Sequence, residues 1–478
     1  MKKGQEFEGQ VVDLDFPNKG ILEVEDRRVV VKNTLPGQKI RFRITKKRKN
    51  KVEGRLLEVI ERSPIETRKA TCPQFGPCGG CSYQTIEYKN QLELKKNQIK
   101  KLIDNVCDNY IFEGIMESPY EWEYRNKMEF SFGDEEKDGP LTLGLHKRAR
   151  YYDVITTDKC QIVNNDYNII LEYVLNFFTE LGINQYKTFR RVGYMRHLLV
   201  RRATNTEEIL VNLITTTQWD REEDEQEVLE DLKDGLLDLK LEGKIVSILH
   251  TYNDSIGDVV KKDSMDILYG QDYFYEEILG LKFKISSFSF FQTNTLGAEV
   301  LYKKAREYVL DKAEDLTSGG SDIDSTANKD KIIFDLYSGT GTIAQMLAPI
   351  AKKVIGIEIV EEAVEAAKEN AQLNGLDNCE FIAGDVLKVL DEVEEKPDLI
   401  VLDPPRDGVN PKALKKIIDY GVDRIVYISC KPTSLARDLV VLQERGYKVE
   451  KVCGVDLFPQ TPHVESIILM TYCGSREK

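Results

Sequence analysis

Two residues near the end of this 478-residue chain are of the types needed for covalent catalysis on an electron-poor ring. Cys430 stands in Tyr427-Ile428-Ser429-Cys430-Lys431-Pro432, where an apolar run stops, and Glu465 stands in Pro462-His463-Val464-Glu465. Carbon 5 of a uracil is a poor nucleophile. A thiolate adding to carbon 6 leaves an enolate whose carbon 5 can take a methyl group, and a carboxylate can then remove the carbon 5 proton so that elimination frees the thiol. Lys431, or a helix N-terminus near Ser434, is placed to lower the pKa of the thiol. A strand-end cysteine is commonly a buried packing residue. Glu465 and the turn Asp403-Pro404-Pro405 set Cys430 apart from that reading.

The groups that would hold a cofactor fall where other apolar runs stop. KIIFDLY, VIGIEIV, DLIVLDPP and DRIVYISC are short enough for buried parallel strands, and EEAVEAAKENAQLNG is a helix ended by Gly375. In such doubly wound sheets ligands sit beyond the carboxyl ends of the strands. The first run ends in Asp335-Leu336-Tyr337-Ser338-Gly339-Thr340-Gly341-Thr342, whose glycines let a ligand approach the backbone. Glu358 follows Asp335 by 23 residues, near the spacing at which an acid meets ribose hydroxyls. Asp385, in Ala383-Gly384-Asp385, is placed to flank an adenine, and helix capping accounts for one of these acids at most. A lone Gly-x-Gly fits a nicotinamide dehydrogenase equally well. The ordered strand-end acids followed by Asp403-Pro404-Pro405 resemble S-adenosyl-L-methionine (SAM) dependent methyltransferases, in which this turn faces the substrate base.

Nine cysteines suggest catalytic or metal-binding thiols more than a disulfide framework. Cys72, Cys78 and Cys81 are spaced C-x5-C-x2-C with small residues between them, and Cys160 can close a set of four. Four thiolates suit a [4Fe-4S] cluster or zinc, and the spacing leaves both open. Cys107, Cys379, Cys453 and Cys473 read as packing residues.

Several elements must position these groups. The first sixty residues alternate in short pieces (EGQVVDLD, GILEVEDRRVVVKN, KIRFRITKKR) separated by turns, which fits a five-stranded barrel of the OB kind, a fold that often holds oligonucleotides. A helix is expected in QTIEYKNQLELKKNQIKKLIDNV, a strand-rich middle region from about Tyr124 to Thr217, and a flexible surface loop over Thr317 to Asp330. The fold class is therefore multidomain α/β: an OB-like barrel at 1–62, a cysteine-bearing β-rich middle domain at 63–284, and a doubly wound, Rossmann-like domain at 285–478.

A net charge of -14 argues against indiscriminate nucleic-acid binding. Yet the segment from Arg41 to Arg55 holds eight cations (Arg41, Arg43, Lys46, Lys47, Arg48, Lys49, Lys51, Arg55) against the single acid Glu53, and the middle region adds Arg190-Arg191 and Arg196 to Arg202. No apolar run of about 18 residues and no secretory leader is seen, so a cytoplasmic protein without a membrane span is expected. A monomer is the expected oligomeric state.

Five motifs in order, Ser289-Phe290-Phe291-Gln292-Thr293-Asn294, Asp335 to Gly341, Leu402-Asp403-Pro404-Pro405-Arg406, Ser429-Cys430-Lys431-Pro432 and His463-Val464-Glu465, closely resemble the bacterial RNA 5-methyluridine methyltransferase family. The resemblance covers nearly the whole chain, since the N-terminal barrel looks like a TRAM domain. It implies Cys430 as nucleophile, Glu465 as base, and Gln292, Tyr337, Glu358, Asp385 and Asp403 as SAM contacts, with Asp403 also near the uracil. Thr342, a further implied SAM contact, stands where some relatives have Asn, and Asp385 can likewise be Asn. The four cysteines resemble those of cluster-bearing members, which favours [4Fe-4S] over zinc. Large-subunit (23S) rRNA is the implied substrate, with tRNA or a non-catalytic RNA-binding role as alternatives. The helix from Gln91 to Val106 is expected against the catalytic domain.

Overall fold

The computed structural model describes residues 1–48, 51–310 and 329–474. The run Thr317 to Asp330, as far as residue 328, and Lys49 of the basic run lie outside the described residues. The chain forms two compact units, one of Met1–Thr71, Ser82–Ser118 and Asp398–Lys478, the other of Cys72–Cys81 and Pro119–Pro397. This grouping differs from the linear order 1–62, 63–284 and 285–478, because early and late segments share a unit.

The first unit begins with a six-stranded sheet, one strand more than the barrel expected from the turns. Its order is Glu6–Gln10, Lys39–Arg48, Lys51–Glu61, Arg27–Lys32, Lys19–Val24, Asp13–Asp15. Alternation drives it: Ile40, Phe42 and Ile44 point into a core with Leu22, Val29 and Val31, while Arg41 and Arg43 face out. Strand pairing brings acids to those cations. Arg41 meets Glu58 at 2.5 Å, Arg43 meets Glu6 at 2.6 Å, and Lys51 meets Glu53 at 2.9 Å. The linear count of eight cations to one acid therefore overstates the local charge, since Glu6 and Glu58 arrive from neighbouring strands.

The same unit holds a second sheet segment in the order Leu399–Leu402, Arg424–Ser429, Glu465–Tyr472, Tyr447–Val455, Ile111–Met116. The first two strands are parallel, and Glu465–Tyr472 runs antiparallel to both of its neighbours. Ile400, Val401, Val426 and Ile428 are fully buried, as expected of strands covered on both faces. The helix Tyr88–Asp104 belongs to this unit and buries the polar side chains Gln91, Lys95 and Gln98 beside Ile99 and Ile103.

Those polar groups clamp one segment. Lys95 Nζ donates to Asp456 Oδ1 at 2.7 Å, both side chains being wholly buried, and to the Phe458 carbonyl at 3.0 Å. Burial pulls Lys95 below the ordinary lysine range while the Asp456 carboxylate opposes it. Leaving one partner of such a pair unmatched typically costs about 3–5 kcal/mol. Gln91 accepts from the Gln460 N–H at 2.9 Å and donates to Gln460 Oε1 at 3.1 Å, and the Gln460 carbonyl accepts from the N–H of Ser82 at 2.8 Å and of Tyr83 at 3.0 Å. Residues 456–461, which lead into Glu465, are thus fixed from the helix and the turn before it.

The second unit carries a seven-stranded sheet in the order Val154–Thr156, Leu141–His146, Lys127–Asp134, Met195–Arg202, Glu208–Thr215, Lys244–Tyr252, Ser264–Gly270. It extends well past Thr217, where the strand pattern stops being legible. Helices Asn165–Glu180 and Glu225–Leu237, N-capped by Asn164 and Asp224, lay their apolar faces on a core containing Phe130, Leu143, Tyr167, Ile170 and Phe178. Three parallel strands, ordered Cys379–Ala383, Lys353–Glu358, Ile332–Leu336, complete the unit with helices Thr295–Leu310, Thr342–Leu347 and Glu361–Leu373. Of the cysteines read as packing residues, Cys107 and Cys453 are buried and Cys379 is half-buried, but Cys473 is exposed, its thiol 3.9 Å from the Thr471 carbonyl. Among the described residues no helix is long and apolar enough to cross a membrane.

Candidate active site

In the first unit three strand ends bring four reactive groups together. Cys430 follows Arg424–Ser429, Asp403 follows the parallel strand Leu399–Leu402, and Glu465 opens the antiparallel strand in which Ser466 pairs with Ser429. The positive charge of Arg406 favours the Cys430 thiolate. Burial pushes the Glu465 carboxyl up to about 8, with the Asp403 charge adding and Arg406 opposing. Burial alone lifts Asp403 to about 7.

The thiol behaves contrary to the expectation from its neighbours in sequence. Burial first, then the charges of Glu465 and Asp403, push Cys430 up to about 11, and Arg406 pulls the other way. Lys431 instead lies 3.7 Å from Asp407. The cation that matters is Arg406, quoted in the motif Leu402 to Arg406 but given no role from sequence. Its signal was its place just beyond the acid-Pro-Pro turn.

The helix Pro432–Glu444 holds that turn. Ser434 Oγ donates to the Arg406 carbonyl at 2.7 Å, Arg437 donates to the Asp407 carbonyl at 2.7 Å, and Asp438 accepts from the Val409 N–H and the Tyr427 hydroxyl, each at 2.8 Å. Gly408, at φ +76°, has no room for a side chain, since a Cβ there would lie 2.5 Å from the Asp438 carboxylate.

In the second unit the turn after Ile332–Leu336 takes left-handed backbone at Tyr337 (φ 69°), Gly339 (φ 54°) and Gly341 (φ 73°). Tyr337 is held there by its N–H to the Ile357 carbonyl at 2.9 Å; such a conformation in a non-glycine residue is a mark of functional turns. A Cβ added at Gly339 would meet nothing within 4 Å, so this face of the turn is open to a ligand. Glu358 braces the turn, accepting from the Gly339 N–H at 3.1 Å and the Val360 N–H at 3.0 Å. Asp335 accepts from the Ala344 N–H at 2.9 Å, and exposed Asp385 caps the next helix through the Leu387 N–H at 2.8 Å. Of these three acids Asp385 alone caps a helix, as expected of one at most, while Asp335 and Glu358 brace backbone amides. The Gln292 carbonyl accepts from Asn126 Nδ2 at 2.9 Å, and Thr342 is buried at the start of its helix. These donors and acceptors around an open glycine turn fit a nucleoside cofactor.

The family described as tRNA (Uracil-5-)-methyltransferase matches residues 87–472. The chain belongs to that family. An RNA methyltransferase of Clostridium tetani, described as uncharacterized, is 48% identical to this methyltransferase over 98% of each chain. A Bacillus cereus protein of the same description is 34% identical over 96% of this chain and 95% of its own. Among solved structures, the Pyrococcus abyssi tRNA (uracil-54, C5)-methyltransferase in complex with S-adenosyl-L-homocysteine is similar in fold at a TM-score of 0.72, with 23% identity, over 97% of this chain and all of that one. The enzyme is an RNA uracil-C5 methyltransferase by class.

Within the second unit of this methyltransferase, the cysteine loop is tied to the strand ending at His146. The N–H of Gly79 donates to the His146 carbonyl at 3.1 Å, the N–H of Arg148 donates to the Pro77 carbonyl at 2.7 Å, and the Arg148 guanidinium donates to the carbonyls of Gly76, Cys78 and Cys81. Burial raises the Cys78 thiol and pushes Cys160 up to about 11, with Cys72 adding to both and Cys78 to Cys160. Even so, among the described residues no group of three or more His, Cys, Asp or Glu side chains is gathered to hold a metal ion.

The raised Glu465 carboxyl has a consequence for folding. Its folded value of about 8 lies above the ordinary glutamate value of 4.5, so its stabilising contribution is complete below about 4.5 and is lost as pH rises through about 8. Glu465→Gln is expected to melt progressively higher relative to wild type as pH is raised from about 5 to about 9. A melting difference independent of pH would show that the carboxyl is not held protonated.

Proposed function

We propose that this chain, acting as a cytoplasmic monomer, methylates carbon 5 of specific uridines in 23S rRNA through a covalent bond from Cys430 to carbon 6. The observation that carries this reading is the buried association of Cys430 with Glu465, Asp403 and Arg406, which puts a nucleophile, two proton carriers and one cation at adjoining strand ends. SAM supplies an electrophilic sulfonium methyl when bound. Gln292, Tyr337, Glu358, Asp385, Asp403 and Thr342 are its proposed contacts, supported by the open glycine turn and the family pattern.

Each protein group then has a task. The Cys430 thiol gives its proton to an ionised neighbouring carboxylate, and Arg406 stabilises the thiolate that attacks carbon 6. The electron pair passes through the ring to carbon 5, which forms the new carbon–carbon bond to the methyl group as the methyl–sulfur bond breaks and its electrons leave with the sulfur. Glu465, a stronger base than an ordinary carboxylate because burial disfavours its charge, takes the carbon 5 proton; the carbon 6 to sulfur bond breaks, and its electrons return to Cys430. Because Asp403 and Glu465 sit near neutrality, one proton can be lost and regained in the working pH range.

The N-terminal sheet is read as a TRAM-like OB barrel that holds RNA. It does not by itself choose between rRNA and tRNA, since the likeness to the P. abyssi tRNA enzyme extends over 97% of this chain. tRNA is the second reading, favoured by the name of that enzyme. A [4Fe-4S] cluster on Cys72, Cys78, Cys81 and Cys160, with a structural or RNA-shaping role, is proposed from their resemblance to the cysteines of cluster-bearing members, since their spacing alone suits zinc equally. These thiols would have to draw closer to close around it.

Two measurements test these readings. Wild type incubated with SAM and either unmodified 23S rRNA or bulk tRNA should yield 5-methyluridine at defined rRNA positions by mass spectrometry of nuclease fragments, and Cys430→Ala should yield none. Methylation of tRNA alone would install the second reading, and an active alanine variant would remove Cys430 as nucleophile. Protein purified without oxygen should contain about four irons and four sulfides per chain, and Cys72→Ser should lose them; zinc, or no metal, would overturn the cluster.

A further inference from the structure

Away from the reactive groups, two segments of the second unit, distant in sequence, meet through exposed rings. Tyr151 is 60% exposed, Tyr152 56% and Phe189 81%. Water-facing aromatics grouped in this way mark interaction surfaces. The ring centroids of Tyr152 and Phe189 are 4.8 Å apart, and Tyr151 meets Tyr152 edge-on at 5.1 Å. Tyr151 also lies nearly parallel to His146, at 5.6 Å and 7° between planes.

The rings stand on fixed backbone. His146 ends the strand Leu141–His146 and lies 3.4 Å from Asp258. The turn carrying Phe189 is closed by hydrogen bonds to the Lys187 carbonyl from the N–H of Arg190 at 2.9 Å and of Arg191 at 2.7 Å. The platform is therefore preorganised and loses little freedom on binding.

Charge indicates what covers it. The two segments carry Lys147, Arg148, Arg150, Lys187, Arg190 and Arg191, and the acids paired to them are Glu135, Asp138 and Asp153. Six cations against these three acids and Asp258 leave a net positive rim on a chain whose total charge is -14. Flat apolar faces within a cationic rim match a strand whose backbone is anionic and whose bases are unpaired. We propose that Tyr151, Tyr152 and Phe189 form a stacking platform for unpaired bases of the RNA substrate, at nucleotides other than the one that is methylated. This rests on the reading that the enzyme acts on RNA and names a surface that engages it.

The test uses full-length protein and a fluorescent, unstructured RNA oligonucleotide titrated across a salt series, together with methylation of the wild-type RNA substrate. The variant carrying Tyr151→Ala, Tyr152→Ala and Phe189→Ala should bind about tenfold or more weakly at every salt concentration, with an unchanged salt slope, because stacking is lost and phosphate contacts are kept. Tyr151→Phe with Tyr152→Phe, which keeps the rings, should bind as wild type does. A triple-alanine variant that binds as tightly as a wild type active on RNA would overturn the platform and leave the RNA reading intact. Unchanged RNA affinity with altered sedimentation would also overturn it, in favour of a protein interface. A wild type that neither binds nor methylates RNA would remove both.

Discussion

A carboxyl group taken out of water holds on to its proton, and two such groups sit at the strand ends of the first unit. Asp403 and Glu465 are raised to about 7 and about 8, and their presence lifts Cys430 further. All three are acids that would be charged, or more readily charged, in solution. Their burial means that the site holds little negative charge until something moves a proton, and Arg406 is the group that tempers this. A base kept near neutrality can accept a proton from carbon and later release it, which an ordinary surface glutamate does poorly.

Burial of this kind is tolerated only where the surrounding backbone cannot relax around water. The strands Leu399–Leu402 and Arg424–Ser429 are apolar on both faces, and the helix Pro432–Glu444 pins the acid-Pro-Pro turn through Ser434, Arg437 and Asp438. On the approach to Glu465, the helix Tyr88–Asp104 contributes Gln91 and the Lys95 pair with Asp456. An early segment of the chain thereby sets the position of a late one, which explains why the compact unit is discontinuous in sequence. The second unit presents a different kind of preorganisation, a left-handed turn at Tyr337 to Gly341 braced by Glu358.

The strand ends were legible in the sequence because each apolar run stops at a polar residue with chemistry to offer; Asp335, Glu358, Asp385, Asp403 and Cys430 all lie where runs end or just beyond. What was not legible depends on which strands become neighbours. The sign of the shift on Cys430 is set by Glu465 and Asp403, which sequence separates from it, so adjacent Lys431 gave the wrong direction. The basic run lost much of its weight to Glu6 and Glu58 for the same reason. The burial of Lys95 has no local signal, since the charge that permits it, Asp456, lies far along the chain. Acids that bind ribose and acids that brace amides have the same one-letter code, and bracing at Asp335 and Glu358 could not be foreseen from spacing.

The central claim is that Cys430 adds to the ring and that Glu465 releases it. Glu465→Gln, incubated with SAM and substrate RNA, then denatured, digested and weighed by mass spectrometry, should retain a methylated uridine bonded to the peptide containing Cys430, because the carbon 5 proton has no acceptor. A variant that turns over normally, or an RNA-linked peptide containing a cysteine other than Cys430, would contradict the account.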